Sequence, residues 1–432
     1  MRCRVLVVGA GPAGGDLARQ LAARGEDVVL VERLPDLRRA AFSSAALPLD
    51  ALDRFGLPSS VVAHRWSGWE LLGPGEARRS WQGGRPQGVV LDFGALREWL
   101  VGEAQRWGAR VWLGHRALAC HQEADRLRTV LRRGDGSEIE VHSDWVIDAT
   151  GQERSLLGDP PAAGPGSEQL VSGVGLEWLV QVPSSCWDRW SDRLAFCLGS
   201  DWVAQGYGWV FPMQAPRLKL GVCRLLDPSR DQPPLGAVLE RLIERLLAPA
   251  ERQAMAVLDR HGGLIRSSIR RREPHRRGRL VGLGDAVSTA NLLGGEGIRH
   301  ALMSSRVLAP LLLEELQGQA SGSVTGPTPP TRGAMPGTAP PTRTMLGPRP
   351  LGRGVDRYPL ELQRALGWRW SLSGRLARRT WLGLHGSAAD RRLGSLLTSL
   401  EQERASALTD LLFGYRFERY GIRALPYLLG LR

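Results

Sequence analysis

The chain has 432 residues, 43% hydrophobic and 23% charged, a balance that excludes a disordered polymer and a length that suits two or three domains. No apolar run approaches the roughly 18 residues of a spanning helix, and the net charge of +13 rests on arginine, with Lys219 the single lysine. That composition leaves one candidate for Schiff-base chemistry, and no finger, helix-turn-helix or RNP pattern accompanies the charge to point at nucleic acid. Cys3, Cys120, Cys186, Cys197 and Cys223 show no paired spacing, so neither a disulfide framework nor a zinc box is expected. With a first strand beginning at once and no leader visible, a reducing, cytoplasmic setting is the expectation.

In chain order, Arg4–Val8 reads as an apolar strand, followed by a glycine turn and a helix from Pro12 to Arg24 that Gly25 stops. Val28–Val31 gives a second strand ending at Glu32, which completes a βαβ opening. Phe93, Leu96, Leu100 and Ala104 recur at helical spacing over 93–107. Strands follow at Arg110–Leu113, Arg126–Arg132, Glu138–Val141 and Val146–Ala149, with Asp135-Gly136 as a hairpin turn. Residues 155–270 change character, being rich in tryptophan and alternating strands, with one helix over Leu235–Leu247. A buried strand returns at Leu280–Gly284, and a helix covers Gly297–Leu316. Residues 317–356 have the composition of a loose, disordered linker, and the tail from Arg357 is helical, with thirteen arginines against six acidic residues.

The predicted fold is therefore α/β. A Rossmann-like dinucleotide domain is built from residues 1–154 and 271–316, with a mixed sheet and helix inserted as a substrate domain over 155–270. A linker over 317–356 and a helical region over 357–432 complete the chain.

Gly9, Gly11 and Gly14 follow a strand and open a helix, with Glu32 eighteen residues beyond the last of them. Gly9 allows the tight turn, Gly11 lets a pyrophosphate approach the backbone, and Gly14 lets helix and strand pack closely. Pro12 and Ala13 begin the helix whose free N–H groups face the phosphates. Glu32, with Arg33 beside it, stands where ribose hydroxyls are received. Val146-Ile147-Asp148-Ala149-Thr150-Gly151 is an apolar strand ending in a small turn at the adenosine end of a bound FAD. Leu280–Gly284 ends in Asp285, suited to a ribityl hydroxyl, and Gly294-Gly295-Glu296-Gly297-Ile298 leads into a helix whose positive end would face the flavin. These three elements in this order favour FAD over a nicotinamide. Taken singly, Asp148 could be a strand-end cap and Asp285 a helix N-cap.

Tyr207-Gly208-Trp209-Val210-Phe211-Pro212, then Gly221, then Gly284-Asp285 and Gly295-Glu296-Gly297-Ile298, resemble the geranylgeranyl reductase family of FAD-dependent oxidoreductases. The resemblance covers roughly residues 1–316 and departs where Cys223 replaces a glycine and where the loop after the second strand carries Ser43-Ser44 in place of a cysteine. It implies hydride transfer from reduced flavin to isolated alkenes of a prenyl lipid, with electrons from NADPH or reduced ferredoxin. Alternation puts Tyr207, Trp209 and Phe211 on one strand face as an aromatic wall for such a chain, with Tyr207 or a bound water as candidate proton donor. An aromatic sheet packed on its own helices would have the same pattern. Arg97 is expected near the pyrophosphate, as an arginine on this helix is in related flavoproteins. Rival chemistries on this fold are a flavin monooxygenase or halogenase, a lycopene-cyclase-like isomerase, or a flavin-binding regulator without turnover.

Arg266, Arg270, Arg271, Arg272, Arg276, Arg277 and Arg279 read first as a solvated connecting face and second as a diphosphate site. Trp368, Trp370 and Trp381 among tail arginines fit either a cap over the two domains or peripheral contact with an anionic membrane.

Overall fold

In the computed structural model, residues 1–39, 43–161, 169–269, 273–322 and 354–420 are described. The opening strand Arg2–Val8 lies at the heart of a largely parallel sheet. Its neighbours are Val28–Glu32 on one side and Glu138–Asp148 on the other, with Leu280–Gly282 and Arg110–Leu113 beyond them. Val5, Leu6 and Val7 are fully shielded, as a strand covered on both faces requires. Helices Pro12–Ala22, Phe93–Arg106 and Ile298–Gly322 pack together beside it. Gly15 is tight against Leu100 there, where an added Cβ would lie 2.9 Å from the leucine.

Two strands expected separately, over 138–141 and 146–149, are one strand, Glu138–Asp148. Its first half pairs with Leu127–Arg132 in a hairpin and its second half with the opening strand, so His142, Ser143 and Trp145 stay in the ladder as the partner changes. The helix expected over 297–316 continues to Gly322, which takes up the first part of the expected linker. At the linker's other end Gly354 donates to Glu315 and Val355 is buried. The remainder of that segment lies outside the described residues.

The second sheet has seven strands. Ala256–Ser267, Val171–Gln181, Arg217–Leu225, Gly206–Pro212 and Arg193–Leu198 run antiparallel in that order. Gly68–Leu72 then joins in parallel and Arg78–Trp81 closes the edge. These last two strands come from a segment assigned by the sequence to the first part of the dinucleotide domain. One face of the sheet is covered by helix Leu235–Leu246 through Val238, Leu239, Leu242 and Ile243. The other face turns to the dinucleotide region and to helices Tyr358–Gly383, Gly386–Ser399 and Ala405–Leu412. Trp370 and Trp381, candidates for a membrane surface, are instead buried under this cap, whereas Trp368 is 60% exposed.

Candidate functional site

The glycine turn has the steric requirements read from the sequence. Gly9 sits at φ +105°, and a Cβ there would lie 2.4 Å from the Ala149 carbonyl oxygen; one on Gly14 would lie 2.0 Å from the Gly9 oxygen. Gly11 differs, because a Cβ there meets no atom within 4 Å and would project into open space. The turn thus needs two of its glycines for the fold, while the third borders open space.

Glu32 closes the turn from below. Its carboxylate accepts from the Ala10 N–H (2.9 Å) and the Leu34 N–H (3.1 Å). A carboxylate has further lone pairs for a ribose hydroxyl. Arg97 packs against the turn. Its guanidinium donates to the carbonyls of Ala10 (3.3 Å) and Leu37 (2.9 Å) and lies 3.4 Å from Glu32. Buried side chains of this kind must be satisfied locally, and Arg97 spends its donors on the chain itself. Arg33, half exposed, makes a two-pronged bond to Glu153 just past Gly151, whose φ is +70°.

On the far side, Asp285 follows the strand Leu280–Gly282 and accepts from the Thr289 hydroxyl (2.9 Å); burial pushes its carboxyl above the ordinary range. A Cβ on Gly297 would lie 3.4 Å from this carboxylate, and one on Gly295, at φ +63°, 3.4 Å from the Tyr207 hydroxyl. The Gly295–Gly297 turn therefore lies between Asp285 and Tyr207. Pro12, Asp285, Gly294, Gly295, Gly297 and Ile298 line a cavity of about 260 Å³ that also takes in Tyr207, Trp209 and Phe211. The open space over Gly11 and this cradle of small residues fit a flavin dinucleotide.

Tyr207, Trp209 and Phe211 do share one face of their strand, and Phe196 joins them from the next strand, 5.6 Å from Tyr207 and 5.3 Å from Phe211 between ring centres. The Trp209 indole lies flat across Gly221, where a Cβ would stand 2.2 Å from the ring, and its N–H reaches Glu177 (2.8 Å). Gly221 is needed for that crossing. Burial holds the Tyr207 phenol well above its usual pKa, with the Cys223 thiol beside it, so it stays protonated at neutral pH.

A second cavity, of about 230 Å³, adjoins the first through Ser43, Ser44, Phe196, Tyr207, Phe211 and Trp381. Its walls are apolar: Trp69, Leu71 and Leu198 from the sheet, Leu393, Leu396 and Leu397 from one tail helix, and Leu408, Leu411 and Leu412 from the next. Trp381 roofs the join, its ring 5.1 Å from Tyr207 and its N–H bonded to the Leu292 carbonyl (3.1 Å). Sequence reasoning missed this leucine lining and the roof. The signal was present as Leu393, Leu397 and Leu400 at helical spacing, but the tail's arginines drew the reading to its polar face.

The tail is tied to the Gly295–Gly297 turn through Glu296. That carboxylate accepts from Arg299 (2.5 and 2.7 Å) and from the Tyr415 hydroxyl (2.7 Å), while Arg299 also donates to the Phe413 carbonyl. His300 donates from Nδ1 to the Glu296 carbonyl (2.9 Å), and burial lowers its pKa to about 4. Between that value and the ordinary 6.5 the unfolded chain binds a proton that the folded ring refuses, so stability falls as pH falls. We expect chemical denaturation at pH 5 to show a loss of about 2 kcal/mol from this residue relative to pH 7, and His300→Gln to remove it. An equal pH slope in that variant would contradict this account.

Of the arginine cluster, Arg270, Arg271 and Arg272 lie outside the described residues. Arg266 pairs with Asp159, Arg276 with Asp356, and Arg279 donates to the Asp125 carbonyl, which is the behaviour of a connecting face.

A family model described as FAD binding domain matches residues 2–325. A digeranylgeranylglycerophospholipid reductase of Haloferax volcanii is 30% identical over 319 residues, which is 71% of this chain and 74% of that protein. A menaquinone reductase of Mycobacterium tuberculosis is 28% identical over 324 residues, 71% of this chain and 76% of that protein. Among solved structures, a geranylgeranyl bacteriochlorophyll reductase-like protein of Thermoplasma acidophilum superimposes with a TM-score of 0.76 at 20% identity, covering 99% of both chains.

Proposed function

The chain belongs to the FAD binding domain family of flavoproteins, and from that membership we propose that it is an FAD-dependent reductase of isolated double bonds in a prenyl lipid. The observation that carries this reading is the leucine-lined cavity opening onto the flavin cradle beside Tyr207. An isoprenoid offers no hydrogen bonds and is held by shape and dispersion, which such a wall supplies. A compact polar molecule would find few hydrogen-bond partners among these leucines.

Reduced FAD supplies the hydride when bound, with NADPH or reduced ferredoxin as the electron source. The glycine turn, Glu32, Gly151 and Asp285 would hold the dinucleotide, and Gly295, Gly297 and Ile298 would meet the flavin ring. Tyr207, Trp209 and Phe211 orient the chain and exclude water. The Tyr207 hydroxyl, kept protonated by burial, is the candidate source of the proton for the second alkene carbon. Exposed Leu360, before the helix break at Gly367 (φ +83°), and Trp368, after it, with Arg375, Arg378 and Arg379 exposed further along the second helical stretch, suit contact with an anionic membrane holding such lipids, which vesicle sedimentation would test.

Leu397 lies in the cavity wall away from the flavin turn, so Leu397→Trp should fill the cavity without touching the dinucleotide residues. Prenyl reduction is expected to fall about tenfold or more at unchanged FAD content. Undiminished turnover of a full-length prenyl chain would remove the cavity from the account.

A further inference from the structure

The chain's single lysine lies on the cavity face of the second sheet, only 4% exposed. An ammonium is buried only where partners compensate its lost hydration. Lys219 Nζ donates to the carbonyl oxygens of Ser43 (2.5 Å) and Ser44 (3.5 Å) and stands 3.8 Å from the Glu177 carboxylate. Glu177 has no exposure itself and is held by the Trp209 N–H at 2.8 Å and by His261 Nε2 at 3.2 Å. The pair thus joins the aromatic wall to a loop that lines both cavities.

That loop is bent sharply. Ala45 adopts φ +56°, in a region that residues with side chains enter at a cost, and its N–H is taken by the Ser43 hydroxyl (3.2 Å). In a trans peptide the N–H points opposite to the C=O. With the Ser43 carbonyl turned onto Lys219, the Ser44 N–H is turned away from it.

We propose that Lys219 is a positioning residue. It holds the Ser43 and Ser44 carbonyls off the cavity so that the Ser44 N–H is presented to the reacting edge of the flavin. This rests on the flavin part of the reading above and not on the prenyl substrate. A fixed donor favours the negative charge that reduction places on that ring, while Glu177 offsets the Lys219 charge, so losing the held donor should make the bound flavin harder to reduce.

The test uses the full-length, FAD-loaded protein and the double variant Lys219→Met with Glu177→Gln, which removes both charges together and leaves Trp209 an acceptor. The ratio of reduced to oxidised flavin is read against a reference dye at fixed potential. It should fall at least about tenfold, equivalent to about 30 mV for two electrons, with FAD retained. Lys219→Arg, which keeps the cation, should stay within about threefold of wild type. Ser44→Pro deletes the N–H and leaves the ion pair, and should lower the ratio as the double variant does. An unchanged ratio in a folded, FAD-replete double variant or in Ser44→Pro would overturn the proposal, as would a double variant that folds without binding FAD. The shift in these variants, together with wild-type protein that reduces no prenyl alkene, would sink the prenyl reading and leave this one standing. Prenyl reduction with no shift would do the reverse.

Discussion

Gly11→Val should give a folded but colourless protein. A Cβ at this position meets no atom within 4 Å beyond its chain neighbours, so the parallel sheet and its helices have no reason to shift. The isopropyl group would instead occupy the space over the turn, where a pyrophosphate must approach the backbone. FAD affinity should drop by at least about a thousandfold, equal to about 4 kcal/mol, with thermal stability equal to that of the wild-type protein stripped of flavin. Gly14→Val is the contrasting variant: its Cβ would overlap the Gly9 carbonyl oxygen at 2.0 Å, and the expected result is insoluble protein. Full yellow colour in purified Gly11→Val would show that the dinucleotide lies elsewhere.

Trp209→Ala should spare most of the flavin and cost most of the turnover. The indole contributes to the wall of the flavin cavity and gives its N–H to Glu177. Its removal opens a void and takes one of the partners of the buried Glu177 carboxylate, for a stability loss of about 3–5 kcal/mol. Because the residue is on the sheet and not in the glycine turn, flavin occupancy should hold in protein that remains folded, while prenyl turnover falls about a hundredfold. Trp209→Phe keeps an aromatic ring while losing the pyrrole part of the indole with its N–H, and should recover much of that rate. Occupancy and turnover falling in proportion would reduce Trp209 to core packing.

The dinucleotide half was legible because its chemistry is local in sequence. Gly9, Gly11 and Gly14 lie within one turn, and Glu32 follows after a single helix. Glu177 and Lys219 show why the second sheet was harder. They are 42 residues apart in the chain and meet only because two antiparallel strands fix their register. Nothing in the period of either strand marks a buried ion pair. Gly68–Leu72 was missed as a strand of that sheet for a related reason. It joins in parallel beside Arg193–Leu198 across more than a hundred residues, and such pairing leaves no turn signal. Arg97 was placed on the right helix, but its orientation depends on the Ala10 and Leu37 carbonyls that only the folded turn brings within reach. In the tail, Trp381 reads as an interfacial aromatic until the Leu292 carbonyl is found beneath it. These contacts join residues distant in sequence, which no local pattern marks.

In the proposed reaction the leucine-lined cavity presents a prenyl alkene to reduced flavin. Protein reduced with dithionite and mixed anaerobically with a panel of geranylgeranyl lipids tests it in one step. The account predicts that the flavin returns to its oxidised spectrum as the lipid gains the mass of two hydrogens per double bond, and that Leu397→Trp slows both changes together. A flavin that stays reduced, with every lipid recovered at its starting mass, would contradict it.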